Sequence, residues 1–185
     1  SIKENYLNYN LVIDGASGIL GYQLAQFFIN NCRKVILIGR SLKNDFKRKD
    51  ILKNNNVEYY SDYSLIPKND IKGGVFIHTA SSTPNNNKIG DEDIFAKNSL
   101  LRNTVTNHII SSEYKLIINI SSMSVYGVIN TGVLFENHPT LPINLYGLSK
   151  LLSENQLSII SNFSSFTNII HLRLPGIISK ESRGI

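Results

Sequence analysis

The strongest constraint on the fold is a series of short apolar runs in which hydrophobic residues follow one another without alternating polar residues. Strands with one face in water alternate, whereas continuous runs rich in β-branched residues are typical of strands that are covered on both faces, as in parallel sheets. The runs that we predict as strands are 10–15, 34–39, 57–61 (the weakest), 73–81, 115–122 and 168–176.

Segments with helical spacing of apolar residues lie between these runs, at 19–31, 91–112 and 145–162. Because strand and helix alternate, the order predicts an α/β fold: a doubly wound parallel sheet of the Rossmann type, flanked by helices in three layers. The 185 residues suffice for one such domain, which we expect to span 1–185. Ligands bind beyond the carboxyl ends of strands in these sheets, so the residues after each run are the candidates for a site.

Composition and charge indicate where the protein is located and which classes of partner it has. Cys32 is the only cysteine, so no disulfide forms within the chain, and no apolar run approaches the about 20 residues of a membrane helix. With no signal-peptide pattern at the N-terminus, we expect a cytoplasmic protein without membrane or nucleic-acid partners. The net charge is +5, but the one basic cluster has Asp45 and Asp50 among it and is interpreted as the polar face of a helix. That cluster is Lys43, Lys47, Arg48, Lys49 and Lys53.

The first run is followed by three glycines in the segment GASGILG: Gly15, Gly18 and Gly21. In a dinucleotide-binding loop the first glycine allows a tight turn, the second lets the backbone approach a diphosphate, and the third lets helix and strand pack closely. The amide groups at the start of the helix that follows favour phosphate binding. Lying between a strand and a helix, this pattern predicts a dinucleotide site rather than an ordinary turn.

A tyrosine and a lysine stand one helical turn apart in the segment NLYGLSK, as Tyr146 and Lys150. On its own this spacing does not separate a catalytic pair from chance. Ser121, Ser122 and Ser124 stand at and just beyond the carboxyl end of the strand before it, and they are candidates to meet the pair at the edge of the sheet. Such a set suits a reaction that moves a proton on an oxygen while a hydride moves on carbon.

These motifs together resemble the extended short-chain dehydrogenase/reductase family, the nucleotide-sugar epimerases and dehydratases. The resemblance rests on the glycine spacing, on HTAS at 78–81, on Asp62 and Asn98, on SSMSVYG at 121–127 and on YGLSK at 146–150, which occur in the family's order from residue 11 to about 176. It implies a Ser-Tyr-Lys catalytic set, for which the alignment favours Ser122 beside Tyr146 and Lys150. A structural cap at the serine, and a turn or helix-stabilising role for Asp62 and Asn98, stay open as alternatives.

The resemblance also implies which residues hold the cofactor, while His78 and His171 are interpreted as packed strand residues and no spacing predicts a metal site. Lysine in the catalytic set is implied to lower the pKa of the tyrosine and to hold the nicotinamide ribose. The implied cofactor-binding residues are Gly15, Ser17, Gly18, Ile19, Leu20, Gly21, Arg40, Asp62, Tyr63, Thr79, Ala80, Ser81, Asn98 and Lys150.

The end of the second run bears on the choice between NAD and NADP. NAD enzymes commonly have an acidic residue there, whereas this chain has Gly39 followed by Arg40, with Lys43 as a candidate helper. An arginine suits a 2′-phosphate, so NADP is slightly favoured. An exposed arginine without a ligand role is the alternative.

Substrate and reaction type stay open among related activities. We expect a nucleotide-sugar epimerase that transfers a hydride at a sugar carbon, with an NADP-dependent ketoreductase or a non-catalytic dinucleotide-binding regulator as alternatives. Met123 and Ser124 stand where dehydratases of the family have Asp-Glu, which argues against a 4,6-dehydratase. Family members usually exceed 300 residues, so we expect the substrate-binding C-terminal part to be largely absent. A homodimer that pairs helices 91–112 and 145–162 is also expected.

Overall fold

The computed structural model describes residues 8–40, 49–84, 91–130, 132–163 and 167–177. Six parallel strands form one sheet in the order β3-β2-β1-β4-β5-β6, which confirms the predicted Rossmann-type architecture. Their bounds are β1 Asn10–Asp14, β2 Lys34–Ile38, β3 Val57–Tyr60, β4 Val75–His78, β5 Leu116–Ser122 and β6 Asn168–Leu174.

In the described part of the chain, four α-helices accompany the sheet: α1 Ile19–Phe28, α2 Lys68–Ile71, α3 Asp91–Ile110 and α4 Leu145–Phe163. The three long ones match the predicted helices, while α2 and three 3-10 segments, at 49–53, 63–65 and 123–126, have too few residues to show a helical period in the sequence. The strand predicted at 73–81 is shorter than expected, because residues 79–84 leave the sheet.

Two apolar layers cover the two faces of the sheet, as the continuous apolar runs indicated. One layer joins Leu11, Ile13, Val35 and Leu37 to the underside of α1. The other joins alternate residues of the same strands to the helical side formed by α2, α3 and α4, through Ile71, Val105, Ile109 and Leu157. Both faces of the central strands are therefore buried, and the strand order reverses between β1 and β4, which is where ligands bind in such sheets.

The structure bears on two expectations from composition, the absence of a membrane helix and the basic cluster. No helix in the described part of the chain has the length and apolar character needed to cross a membrane. Of the basic cluster, Lys43, Lys47 and Arg48 lie outside the described residues, and Lys49 and Lys53 lie in a 3-10 segment where Lys53 pairs with Asp50 at 2.7 Å.

Candidate active site

The start of α4 places two of the predicted catalytic side chains next to the end of β5. Asn144 precedes the helix, and its side chain accepts a hydrogen bond from the amide of Gly147 at 2.7 Å, which anchors the first turn. A Cβ on Gly147 would stand 2.5 Å from the carbonyl oxygen of Ser124. Because Gly147 has no side chain, α4 can lie directly against the segment that follows β5, and Tyr146 can approach Ser122.

The Ser122 hydroxyl lies close enough to the Tyr146 phenol to lower its pKa. Ser122 is the last residue of β5; its hydroxyl also accepts a hydrogen bond from the amide of Ser124 at 3.1 Å and donates one to Ser124 Oγ at 3.1 Å. Ser121 is buried and its hydroxyl has no partner among the described residues, so of these two serines it is Ser122 whose side chain acts on Tyr146.

Lys150 lies one turn further along α4, with its ammonium group 5.9 Å from the centre of the Tyr146 ring. Nζ donates a hydrogen bond to the carbonyl oxygen of Ile120 at 3.0 Å. Burial lowers the pKa of Lys150 to about 8, against the opposing effect of the Asp14 and Glu154 carboxylates. The ammonium is therefore desolvated but still largely charged at neutral pH.

The tyrosine pKa differs from the sequence-based expectation. Burial raises the pKa of Tyr146 above its ordinary value, and the hydrogen bond with Ser122 only partly opposes that rise. The expected lowering by Lys150 is absent because the ammonium is directed at the Ile120 carbonyl rather than at the phenol. In this arrangement Tyr146 is protonated at neutral pH and is set up to donate a proton.

The glycine loop after β1 has the tight geometry that the motif predicted. Gly15 has a positive φ of 64°, and a Cβ there would stand 2.7 Å from Thr79 Oγ1. A Cβ on Gly21 would stand 2.5 Å from the Gly15 carbonyl oxygen, so α1 packs against the loop itself. Gly18 precedes α1 without a side-chain cap, and the first turn of α1, which begins with Ile19 and Leu20, carries no acidic residue, which suits an anion at this helix end.

Asn98 holds the loop after β4 in place. Its side-chain oxygen accepts a hydrogen bond from the amide of Ser82 at 2.7 Å and lies 3.5 Å from Ser81 Oγ. Its side-chain nitrogen donates to the Ser82 carbonyl oxygen at 3.0 Å and to Ser149 Oγ at 3.1 Å. Asn98 thus connects the loop that follows Thr79 and Ala80 to α4, which matches the stabilising alternative.

The remaining predicted cofactor residues lie along the same edge. Asp62 caps the 3-10 segment at 63–65 by accepting hydrogen bonds from the Ser64 amide (2.8 Å) and hydroxyl (2.6 Å). Tyr63 turns its ring inward against Phe76 and donates from its hydroxyl to Asp14 at 2.7 Å. Arg40 is exposed at the end of β2; a Cβ on Gly39 beside it would stand 3.6 Å from the Ser17 amide, so this strand end adjoins the glycine loop. Lys43 lies outside the described residues.

Two buried polar groups at this edge escaped sequence reasoning. Asp14, directly before Gly15, accepts hydrogen bonds from the amides of Thr79 and Ala80. A carboxylate within an apolar run, immediately before a glycine loop, is the signal that could have found it. The second is the buried carboxylate of Glu154, to which Arg173 donates at 2.7 Å.

Arg173 connects three parts of the candidate site. Besides the bond to Glu154 on α4, Nη1 donates to Tyr126 Oη at 2.8 Å and to the Glu136 carbonyl oxygen at 3.2 Å. Tyr126 is therefore held by this hydrogen bond and by the Arg173 guanidinium, which lies 4.8 Å from the centre of its ring. His171, on the same strand, lies between Asn119 and Ser158, and His78 is buried beside Asp14, so both are packed strand residues.

Comparison with protein-family models identifies the family. The family model described as NAD dependent epimerase/dehydratase family matches residues 11–183. This chain belongs to that family. Comparison with curated proteins gave no match.

Solved structures with the same fold include several sugar-nucleotide epimerases. UDP-glucuronic acid 4-epimerase from Bacillus cereus, in complex with NAD, aligns with a TM-score of 0.73 at 22% identity, over 90% of this chain and 56% of that one. The UDP-Glc/GlcNAc 4-epimerase of Campylobacter jejuni aligns with a TM-score of 0.74 at 20% identity, over 89% and 53%. The UDP-N-acetylglucosamine 4-epimerase of Methanobrevibacter ruminantium M1 gives 0.74 at 19%, over 90% and 54%. The chain therefore spans about half the length of these structures.

Proposed function

We propose that this chain is the dinucleotide-binding part of an NAD(P)-dependent nucleotide-sugar epimerase, or a related oxidoreductase, that transfers a hydride at a sugar carbon. The observation that carries the proposal is the meeting of Ser122, Tyr146 and Lys150 beyond the carboxyl end of β5. Two segments, the end of β5 and the start of α4, converge there at the same edge of the sheet as the glycine loop. Membership of the epimerase/dehydratase family supports the same assignment.

Each of the three side chains has a distinct role in this proposal. Tyr146 exchanges a proton with the sugar hydroxyl whose carbon is oxidised and reduced, since its hydroxyl is the titratable oxygen at the site. Ser122 turns its hydroxyl from Ser124 to donate to the same sugar oxygen and stabilises charge that develops there. Lys150 supplies a positive charge that favours the phenolate once its ammonium turns from the Ile120 carbonyl towards the tyrosine.

The residues present fit a nicotinamide dinucleotide. Gly15 and Gly21 allow the loop, α1 and residues 79–80 to pack closely, and α1 begins without a side-chain cap or an acidic residue in its first turn, which suits a diphosphate at this helix end. Such a cofactor supplies the hydride acceptor and donor. Gly15, Ser17 to Gly21, Thr79 to Ser81 and Lys150 would surround it, while Asn98 would act by fixing the loop beside it.

The identity of the dinucleotide is a separate part of the proposal. The Bacillus cereus structure is a complex with NAD, which makes NAD the first candidate for this chain. Arg40 is exposed beside the glycine loop, and a 2′-phosphate there would find a guanidinium, which is why NADP remains a prediction.

The substrate class follows from family membership and from the site. We propose a nucleotide sugar, because the three structural neighbours named above are UDP-sugar 4-epimerases. A carbonyl reductase would use the same three side chains. Met123 and Ser124 offer no carboxylate for loss of water, which disfavours dehydration.

Calorimetric titration with NAD and with NADP tests the first part of the proposal, and Tyr146→Phe tests the second. We expect Tyr146→Phe to bind the preferred dinucleotide with unchanged Kd and to lose turnover of UDP-sugars by at least about a hundredfold. Tyr9→Phe is the matched control, since that hydroxyl only accepts a hydrogen bond from exposed Lys115. NADP binding tenfold tighter than NAD would assign Arg40 to the 2′-phosphate and favour a reductase.

Two results would refute parts of the proposal. If wild type binds neither dinucleotide, the glycine loop is not a cofactor site. If wild type turns over a UDP-sugar and Tyr146→Phe does so equally well, Ser122, Tyr146 and Lys150 are structural.

A further inference from the structure

Asp14 is a fully buried carboxylate at the carboxyl end of β1, immediately before the first glycine of the loop. Oδ1 accepts hydrogen bonds from the amide of Thr79 at 2.6 Å and from the amide of Ala80 at 2.8 Å. Oδ2 accepts one from the hydroxyl of Tyr63 at 2.7 Å and is also paired with Nδ1 of His78. The Asp14 side chain is therefore bonded to groups that lie at or just after the ends of β3 and β4.

The partners explain why this carboxylate is charged although it is buried. Burial alone would raise the pKa of Asp14, but the charge and hydrogen bond of His78, the Ala80 amide and the Tyr63 hydroxyl together hold it below its ordinary value. A buried carboxylate with four donors holds them in a fixed arrangement, because moving any one of them leaves a charge less well solvated.

The same carboxylate acts on the glycine loop through its neighbours. Thr79 Oγ1 donates to the backbone carbonyl of Asp14 at 2.5 Å. A Cβ on Gly15 would stand 2.8 Å from the Ala80 amide, and one on Gly21 would stand 2.9 Å from Thr79 Oγ1. The glycine loop and the loop after β4 therefore interlock, and the carboxylate fixes the distance between them.

We propose that Asp14 is a positioning residue for the dinucleotide: it holds the glycine loop and residues 79–81 against each other, so that the two loops together form the edge on which a diphosphate and the adjoining ribose would lie. The inference rests on the proposed dinucleotide binding. It assigns Asp14 no contact with the ligand, because both of its oxygens are engaged by protein donors.

Replacing Asp14 with Ala and with Asn separates positioning from charge. Ala removes the acceptor for both amides, whereas Asn keeps one side-chain oxygen that can face Thr79 and Ala80 while Tyr63 and His78 reorient towards its amide group. We expect Asp14→Ala to raise the Kd for NAD, or for NADP if that is the bound form, at least tenfold, and Asp14→Asn to stay within about threefold of wild type. Asp70→Ala is the matched control, because that carboxylate pairs with Lys34 far from the loop.

Fragments of the cofactor show whether the effect is confined to the part of the ligand that would lie on these two loops. For Asp14→Ala we expect ADP-ribose, which carries the diphosphate and the second ribose, to lose as much affinity as the dinucleotide, and AMP to lose less than threefold. Equal losses for AMP and ADP-ribose would indicate general damage and overturn the inference, as would an unchanged Kd for the dinucleotide.

A milder variant covers the case in which Asp14→Ala does not fold. Tyr63→Phe removes one donor from Oδ2 and keeps the ring against Phe76, and it should weaken ADP-ribose binding about threefold. An unchanged Kd there would overturn the inference. Failure of the wild-type chain to bind any dinucleotide would instead refute the proposed function, so the two failures are distinguishable.

Discussion

Lys150→Met should stabilise the fold while it abolishes turnover. The side chain is 8% exposed, and its pKa falls from 10.5 to about 8, so the charged form is disfavoured by folding. At 1.36 kcal/mol per pKa unit, the charge costs roughly 3 kcal/mol at pH 7. The hydrogen bond from Lys150 to the Ile120 carbonyl offsets about 1–2 kcal/mol of that cost. Methionine fills a similar volume without the charge. We therefore expect a gain of roughly 1–2 kcal/mol in the free energy of unfolding.

The stability difference between Lys150→Met and wild type should decrease as the pH rises. Because the folded-state pKa of Lys150 lies below the unfolded value, folding releases a proton between about pH 8 and pH 10.5, and wild-type stability gains from each step upward in that window. Methionine has no such proton. The advantage of Lys150→Met should therefore shrink by roughly 1 kcal/mol between pH 7 and pH 9.

Urea unfolding followed by circular dichroism at both pH values measures the difference. Lys72→Met is the control, since Lys72 is exposed in a surface pair with Glu113 and should change stability by less than about 1 kcal/mol. A variant that is less stable than wild type at pH 7, or a difference that does not move with pH, would refute the assignment of Lys150 as a desolvated cation.

Two further predictions concern packing. Gly21→Ala places a Cβ 2.5 Å from the Gly15 carbonyl oxygen, so it should destabilise the fold by about 1–3 kcal/mol and weaken dinucleotide binding in calorimetry; binding equal to wild type would show that the loop yields. The expected homodimer also remains to be tested: α3 exposes Leu100 and Ile110, α4 exposes Ile159 and Phe163, and light scattering at micromolar concentration should report twice the chain mass and, for Leu100→Glu, the mass of one chain.

The sequence was most informative where one local pattern decides the outcome. The apolar runs predicted the parallel sheet because burial on both faces leaves no alternation, and the loop at Gly15 was predictable because its close contacts exclude a Cβ. The approach of Tyr146 to Ser122 followed from the order of the motifs. The role of Gly147, which permits that approach because it has no Cβ, was not predicted from the sequence.

Pairings between distant segments could not be predicted in the same way. The bond between Asp14 and the amides of Thr79 and Ala80 depends on strand order, since β1 and β4 are neighbours in the sheet although 60 residues separate them. The pKa of Tyr146 depends on burial and on where Nζ of Lys150 points, and neither is written in the spacing of the two residues.

The hydrogen bonds of Asn98 bear on how tolerance to mutation should be interpreted here. Its side chain uses two donors and two acceptor positions, to Ser81, Ser82 and Ser149. Aspartate lacks the donors, serine is too short, and glutamine carries an extra methylene, so none of the common neighbours of asparagine reproduces the set. A saturation screen would therefore rank this position as intolerant as Tyr146, although the two would fail for different reasons. At this edge of the sheet, a position can therefore be intolerant to mutation because its side chain uses all of its hydrogen-bonding groups, even if that side chain takes no part in a reaction.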